Sequence, residues 1–233
     1  MPVPNYSVVP ATEDDIPILG DFLQDSKLQL AINRFLILDW PNFPFQKAHY
    51  TNAIKGGLSN PRTTSLKVID NTSGKLVAQL VYTKKVSPPG EGESSTTEGN
   101  GGEANNEVPV GIVPDVYWAV MDAVKELEPN LETDEYIELT HMYVEPSSRR
   151  RGIGSRLLQI VEEAAAAENL PLTLFAEPNH HDFFVGHGFR DVKDVDIDLR
   201  KWAAPLSGYG VFRVSRMIFE GRVDAKATKL DAT

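Results

Sequence analysis

Cysteine is absent from the 233-residue sequence, which excludes disulfide bonds, thiolate metal ligands and a covalent cysteine intermediate. Its absence is typical of intracellular proteins, and we expect a cytoplasmic or nuclear one. No apolar run approaches the roughly 18 residues that a membrane-spanning helix requires. The opening MPVPNYSVV lacks the basic region and apolar core of a secretory signal, so we expect neither a membrane partner nor secretion.

The sequence also has fewer positively charged residues than negatively charged ones. The 23 Lys and Arg residues stand against 33 Asp and Glu residues, which gives a net charge of −10. Proteins that bind nucleic acids generally present a basic surface, so we expect no nucleic-acid partner. An acidic surface attracts cations, and cationic amines are therefore candidate partners. At this length, we expect one hydrophobic core with appendages.

The most informative stretch, residues 136–166, is predicted to form a strand, a turn and a helix. Alternation along the strand places two sets of side chains on opposite faces, unless a β-bulge intervenes: Ile137, Leu139 and His141, and Glu138, Thr140 and Met142. Pro146 cannot donate to a sheet ladder, so the strand should end near Val144. After Gly154, apolar residues recur at helical spacing.

The turn of this unit has the chemistry of an anion site. The first amides of a helix lack intrahelical partners and carry partial positive charge, glycine allows close approach, and arginine matches phosphate. A solvated basic turn would have the same composition. A dinucleotide fingerprint is rejected, because Leu157 stands where its third glycine belongs.

The rest of the chain is predicted to supply six further strands and several helices. Strands are expected at 6–10, 66–70, 75–83, 172–176, 191–199 and 211–219. Helices are expected after Thr12, at 28–38, 45–54, 114–127 and 179–188. Residues 87–108 are a Gly/Ser/Glu-rich stretch that we interpret as a flexible insertion within a single domain at 1–221, and 222–233 as a polar tail.

Two motifs within this order resemble the GNAT acetyltransferase family. Arg149-x-x-Gly152-x-Gly154 is similar to its coenzyme A loop, and residues 176–189 resemble the segment in which a small residue and proline lead into a helix that ends Tyr-x-x-x-Gly-Phe. The resemblance covers nearly the full length. It implies an α/β (α+β) GNAT fold, with a mixed, mostly antiparallel twisted sheet of six to seven strands that is flanked by helices and splayed at its central strands.

The resemblance also implies a function. The protein would transfer an acetyl group from acetyl-CoA to a primary amine of a small molecule or protein, by direct attack with a general base and without a metal. The alternative is a catalytically weak or inactive acyl-CoA-binding module. A monomer or homodimer is expected. The implied coenzyme-binding residues are Met142, Tyr143, Val144, Arg149, Arg150, Arg151, Gly152, Ile153, Gly154, Ser155, Asn179 and Phe184.

Catalytic groups are harder to assign. Glu138 is the first candidate for the general base, and a partly buried carboxylate there would have a raised pKa. The family often has a tyrosine that protonates the leaving thiolate, but Phe184 stands at that position, so Tyr143, Tyr209 or a water molecule is proposed as a substitute. His180 and His181 flank the expected mouth. The family builds its acceptor pocket from the early helices and the last hairpin, here 28–55 and 207–219.

Overall fold

The structure is a computed structural model that describes residues 5–86, 107–129, 131 and 133–220. Its centre is one seven-stranded sheet in the order β1-β2-β3-β4-β5-β7-β6. The strands are β1 (Tyr6–Pro10), β2 (Thr63–Asp70), β3 (Leu76–Val86), β4 (Glu135–Val144), β5 (Leu172–Ala176), β6 (Phe189–Asp198) and β7 (Val211–Phe219). Every neighbouring pair is antiparallel except β4 and β5, so the predicted mixed sheet is confirmed.

Six α-helices flank the sheet in the described part of the chain: α1 (Ile16–Leu28), α2 (Asn33–Leu36), α3 (Phe43–Ser59), α4 (Pro114–Glu126), α5 (Ile153–Glu168) and α6 (His181–Val185). None of these helices is long and apolar enough to cross a membrane. The predicted insertion at 87–108 lies outside the described residues except for its last two. The predicted tail at 222–233 lies wholly outside them.

Two helix predictions were wrong in extent. The apolar stretch 28–38 is not one helix, because Leu30, Ile32 and Ile37 are buried at separate points and Ile37 forms an isolated bridge with Ile112. Tertiary packing thus outweighs helix propensity there, and within 28–38 only Leu28, which ends α1, and the four residues of α2 are helical. The helix predicted at 179–188 shrinks to α6, which ends at Val185.

Strands β4 and β5 separate partway along their length. They pair at only three positions, Ile137 with Leu172, Glu138 with Thr173 and Leu139 with Leu174. Beyond Leu139, β4 continues to Val144 while pairing only with β3. The predicted splay at the central strands is therefore present, and it leaves one edge of β4 open inside the sheet.

A β-bulge lies at the point of separation. Val81 of β3 pairs with His141 and its neighbour Tyr82 pairs with Leu139, so Thr140 is the extra residue on β4. The bulge changes which side chains share a face. Ile137 and Leu139 join the core beneath α5, and after the bulge the residues that pack against this core are Met142 and Val144.

Candidate active site

The turn between β4 and α5 is exposed and left-handed at two positions. Arg150 has φ of 61° and Gly152 has φ of 81°, and both residues are exposed. Gly152 is the N-cap of α5, and no side chain caps the helix. The first intrahelical bond runs from the Arg156 amide to the Gly152 carbonyl at 3.0 Å, so the preceding amides are available to a ligand.

Two of the three turn arginines already have protein partners. Arg149 donates from Nε to the Val144 carbonyl at 2.9 Å, and its guanidinium lies 5.9 Å from the centre of the Tyr143 ring. Arg151 donates to the Tyr6 hydroxyl at 3.0 Å. Arg150 has no hydrogen-bond or ion-pair partner among the described residues, so its guanidinium is free for a phosphate.

The beginning of α5 is also fixed by contacts with α6. The Ser155 hydroxyl lies 2.9 Å from Nε2 of His187, whose Nδ1 lies 2.7 Å from the Phe183 carbonyl oxygen. A Cβ added at Gly154 would stand 3.4 Å from the Phe183 ring, which makes this a close approach between the two helices. These contacts hold the first turn of α5 against α6 and the residues that follow it.

The bulge resolves the orientation of His141. Simple alternation predicted that His141 faces away from Glu138, and that prediction was wrong because Thr140 is the extra residue. His141 shares a face with Tyr143, which packs against α1 and α3. This is also the face of Glu138, so the three polar side chains stand on the side opposite α5.

His141 belongs to a group of polar residues that we call the charged cluster: Lys27, Tyr50, His141, Glu177 and His180. Nε2 of His141 is buried without a hydrogen-bond partner among the described residues. Burial, with the charges of Lys27 and His180, lowers the pKa of His141 to about 3, against a weaker opposing effect from Glu177. The imidazole is therefore neutral at physiological pH.

Glu177 is the anion of the charged cluster. Burial alone would raise the pKa of its carboxyl, but Lys27 and His180 outweigh burial and lower the pKa to about 2. Oε1 of Glu177 lies 2.8 Å from Nζ of Lys27, at the end of α1. Burial, together with this carboxylate, raises the pKa of Tyr50 to about 12. Glu177 follows β5 directly, so the charged cluster lies where β4 and β5 have parted.

Glu138 is not a solvated carboxylate. Its side chain is buried and lies 2.7 Å from Nη1 of Arg216 on β7, which is 1% exposed. The Arg216 guanidinium stacks 4.3 Å from the centre of the Phe175 ring on β5 and 5.6 Å from that of Tyr136. The ion pair therefore crosses β5 within the paired part of the sheet. The carboxylate that was predicted to act as a base is already paired with Arg216.

The remaining predicted site residues lie in three different environments. Burial, with the nearby Asp25 carboxylate, raises the pKa of Tyr143, so its phenol keeps its proton. Phe184 is buried in the core and packs edge-on against Phe183 and Phe189. Asn179 is exposed and is not a helix cap, because the N-cap of α6 is His180.

Sequence reasoning missed Lys27, Glu177 and Arg216. The only sequence signal for Glu177 was its place between the last strand residue, Ala176, and Pro178, close to His180 and His181 at the expected opening of the site. Its partner Lys27 is 150 residues away in sequence. Among the described residues, no group of three or more His, Cys, Asp and Glu side chains could hold a metal ion.

Comparison with family models gave a match to the central part of the chain. Residues 117–198 match the family model for the acetyltransferase (GNAT) domain, which includes β4, the arginine turn and α5. This part of the chain is therefore similar to the GNAT acetyltransferase family model, which agrees with the resemblance seen in the sequence. The comparison with curated protein sequences gave no match.

Two solved structures share the fold over nearly the whole chain. One is described as histone acetyltransferase HPA2 and related acetyltransferase from Corynebacterium glutamicum, with a TM-score of 0.58 and 15% identity, over 92% of this chain and 96% of that chain. The other is arylalkylamine N-acetyltransferase 2 from Aedes aegypti, with a TM-score of 0.60 and 12% identity, over 92% and 98%. At such identities the likeness concerns the fold, and it agrees with the predicted architecture.

Proposed function

We propose that this protein is an N-acetyltransferase that transfers an acetyl group from acetyl-CoA to a primary amine. The observation that carries the proposal is that the uncapped start of α5 lies next to the open edge of β4. A long ligand with a diphosphate at one end can therefore reach both with a single extended arm. The GNAT domain match over 117–198 and the names of the two similar structures support the same class of reaction.

The donor half of the site fits coenzyme A by charge and by shape. The amides of Ile153, Gly154 and Ser155, with the free guanidinium of Arg150, would hold the diphosphate. The main chain of β4 from Met142 to Val144 would pair with the pantetheine arm along the edge that β5 leaves open. The acetyl group would then lie near the bulge at Thr140.

On the acceptor side, the charged cluster would receive the amine. The nitrogen attacks the thioester carbonyl carbon, the carbon–sulfur bond breaks, and coenzyme A leaves as a thiolate. A thiol with a pKa near 8.5 leaves without an acid, so Phe184 is compatible with the reaction. The neutral His141 accepts a hydrogen bond from the amine and orients its lone pair. The proton is released to water beside the exposed His180.

This assignment differs from the sequence prediction for the base. Glu138 lies within the three-residue ladder of β4 and β5 and is paired with Arg216, whereas His141 and Glu177 flank the gap beyond it. Glu138 stays a prediction, and its test is kinetic. The variant Glu138→Gln should leave coenzyme A binding intact, and it should slow turnover markedly only if Glu138 is the base.

A matched pair of glycine variants tests coenzyme binding. Gly152 and Gly208 have φ of 81° and 83°, and a Cβ at either would meet nothing within 4 Å. Gly152→Asp and Gly208→Asp therefore introduce the same backbone strain and the same charge. Isothermal titration calorimetry with coenzyme A should show at least a tenfold loss of affinity for Gly152→Asp alone. Equal affinity in both variants would contradict the proposed anion site.

Turnover separates the enzyme from the binding module. Acetyl-CoA is incubated with a panel of amines, and free thiol is measured. Thiol release above background with at least one amine supports the enzyme. Coenzyme A binding without thiol release from any amine would instead support the acyl-CoA-binding alternative, for which the loss of the tyrosine hydroxyl at Phe184 is the specific observation.

A further inference from the structure

The side chain of Lys27 occupies the position that the proposed function assigns to an acceptor amine. Its Nζ lies 2.8 Å from Oε1 of Glu177, which stands at the end of β5 on one wall of the gap. Its charge also acts on His141, which stands on β4 at the other wall. A primary amine of the protein itself therefore lies over the opening between the two strands.

The surroundings of Lys27 hold this amine in place. The side-chain amide of Asn33 donates to the Lys27 carbonyl at 2.8 Å, which fixes the backbone at the end of α1. Its side chain is 31% exposed, so it is partly enclosed by its neighbours and partly open to water. Nε2 of His141, in the same charged cluster, is buried without a hydrogen-bond partner among the described residues, and in the tautomer protonated at Nδ1 it would accept a hydrogen bond from a neutral amine.

We propose that Lys27 is a site of self-acetylation, modified from acetyl-CoA bound in the same chain when no other acceptor is present. This inference rests on the proposed function, since it requires the coenzyme to bind along β4. The Lys27 nitrogen attacks the thioester carbonyl, a carbon–nitrogen bond replaces the carbon–sulfur bond, and coenzyme A leaves as a thiolate. Since an ammonium has no lone pair, the nitrogen first releases one proton to water, and it releases a second proton to water as the amide forms.

The modification has a structural consequence for the acceptor site. An acetylated Lys27 carries no charge, so the ion pair with Glu177 is lost and the carboxylate is free to receive an incoming cation. Self-acetylation would therefore convert a site that is closed by its own lysine into one that binds a cationic amine. The neutral variant Lys27→Gln should reproduce this change and lower KM for a cationic amine by at least threefold.

The test uses the full chain, radiolabelled acetyl-CoA and no acceptor. We expect about one acetyl group per chain, located at Lys27 by peptide mass spectrometry, with a first-order rate constant that is independent of protein concentration. Lys27→Arg keeps the charge and should abolish the incorporation.

Lys47 provides the matched control. It also pairs with a carboxylate, Asp21, at 3.1 Å, but its side chain is 60% exposed, about twice the exposure of Lys27. Lys47→Arg should not change the incorporation. Labelling spread over surface lysines, or retained in Lys27→Arg, would overturn the inference.

Measurements on the same preparation separate this inference from the proposed function. Acetylation of added amines without modification of Lys27 overturns the self-acetylation alone. Coenzyme A binding with neither reaction overturns it too and supports the binding module. Absence of coenzyme A binding overturns both proposals.

Discussion

Arg216 of β7 and Glu138 of β4 form a buried ion pair that spans the intervening strand β5, with Nη1 and Oε2 2.7 Å apart. The ion pair lies near the end of the parallel ladder, because Glu138 pairs with Thr173 and the following pair, Leu139 with Leu174, is the last one. It therefore ties three strands together immediately before two of them part. Its loss should therefore lower the stability of the sheet.

Removal of one partner should be costly. Arg216→Met leaves the Glu138 carboxylate buried, with Lys85 at 4.0 Å as its remaining cation, and we expect a loss of roughly 3–5 kcal/mol in the free energy of unfolding. The double variant Glu138→Gln/Arg216→Met should lose less than the sum of the single changes, since it leaves no buried charge. Urea denaturation measures all three. Strict additivity would show that the pair does not act as a unit.

The imidazoles of His141 and His181 should titrate on opposite sides of the ordinary histidine pKa. Burial, with Lys27 and His180, lowers the pKa of His141 to about 3, whereas the bond with Asp191 raises that of His181. Two-dimensional NMR from pH 8 to 5 should show a moving His181 ring signal and a fixed His141 signal. The variants His141→Asn and His181→Asn assign the two signals, and a titrating His141 would refute the neutral imidazole.

Glu177 should make the protein sensitive to acid. Its folded-state pKa of about 2 lies below the ordinary glutamate value of 4.5, so the unfolded state binds the proton first as the pH falls. Its stabilising effect is complete above pH 4.5 and is lost progressively towards pH 2. Between pH 5 and 3, the wild type should lose about 2 kcal/mol more than Glu177→Gln. Parallel stability curves would show that the pair with Lys27 is not formed in solution.

Gly111 should not tolerate a side chain. It has φ of 89°, and an added Cβ would lie 2.6 Å from Cε2 of Phe45 on α3. Left-handed strain and the clash together should cost Gly111→Ala roughly 2–5 kcal/mol. Gly210→Ala is the control, because a Cβ there meets nothing within 4 Å and its φ is not positive. Thermal unfolding compares the two, and equal midpoints would mean that Phe45 moves aside.

The strand, turn and helix around Gly152 could be predicted from the sequence because their signals are local. Pro146 ends a strand, glycine permits the left-handed turn, and the apolar spacing after Gly154 defines the buried face of α5. The bulge could not be predicted, since the alternation of β4 looks regular with or without one extra residue. That single residue, Thr140, changes the face of every side chain that follows it.

The charged cluster could not be predicted for a different reason. Lys27 and Glu177 are separated by 150 residues, and their partnership depends on the tertiary fold, which brings the end of α1 to the residue that follows β5. Neither carries a local signal that sets it apart from other charged residues. Likewise, the apolar run at 28–38 has helical composition, but Leu30 and Ile32 are buried in a cluster with residues distant in sequence, among them Val116, Ile197 and Phe212. Contacts distant in sequence decided both outcomes.

The single parallel pair in the sheet has a consequence for tolerance to mutation. Beyond the point where β5 separates from β4, the peptide groups on that edge of β4 can pair with a ligand. Every residue type except proline presents the same peptide donor and acceptor. Replacements from Met142 to Val144 that respect volume should thus leave affinity for the donor substrate nearly unchanged. Affinity for the donor along β4 would then depend on main-chain groups, whereas the choice of acceptor would depend on side chains such as Lys27. The two properties could therefore change independently.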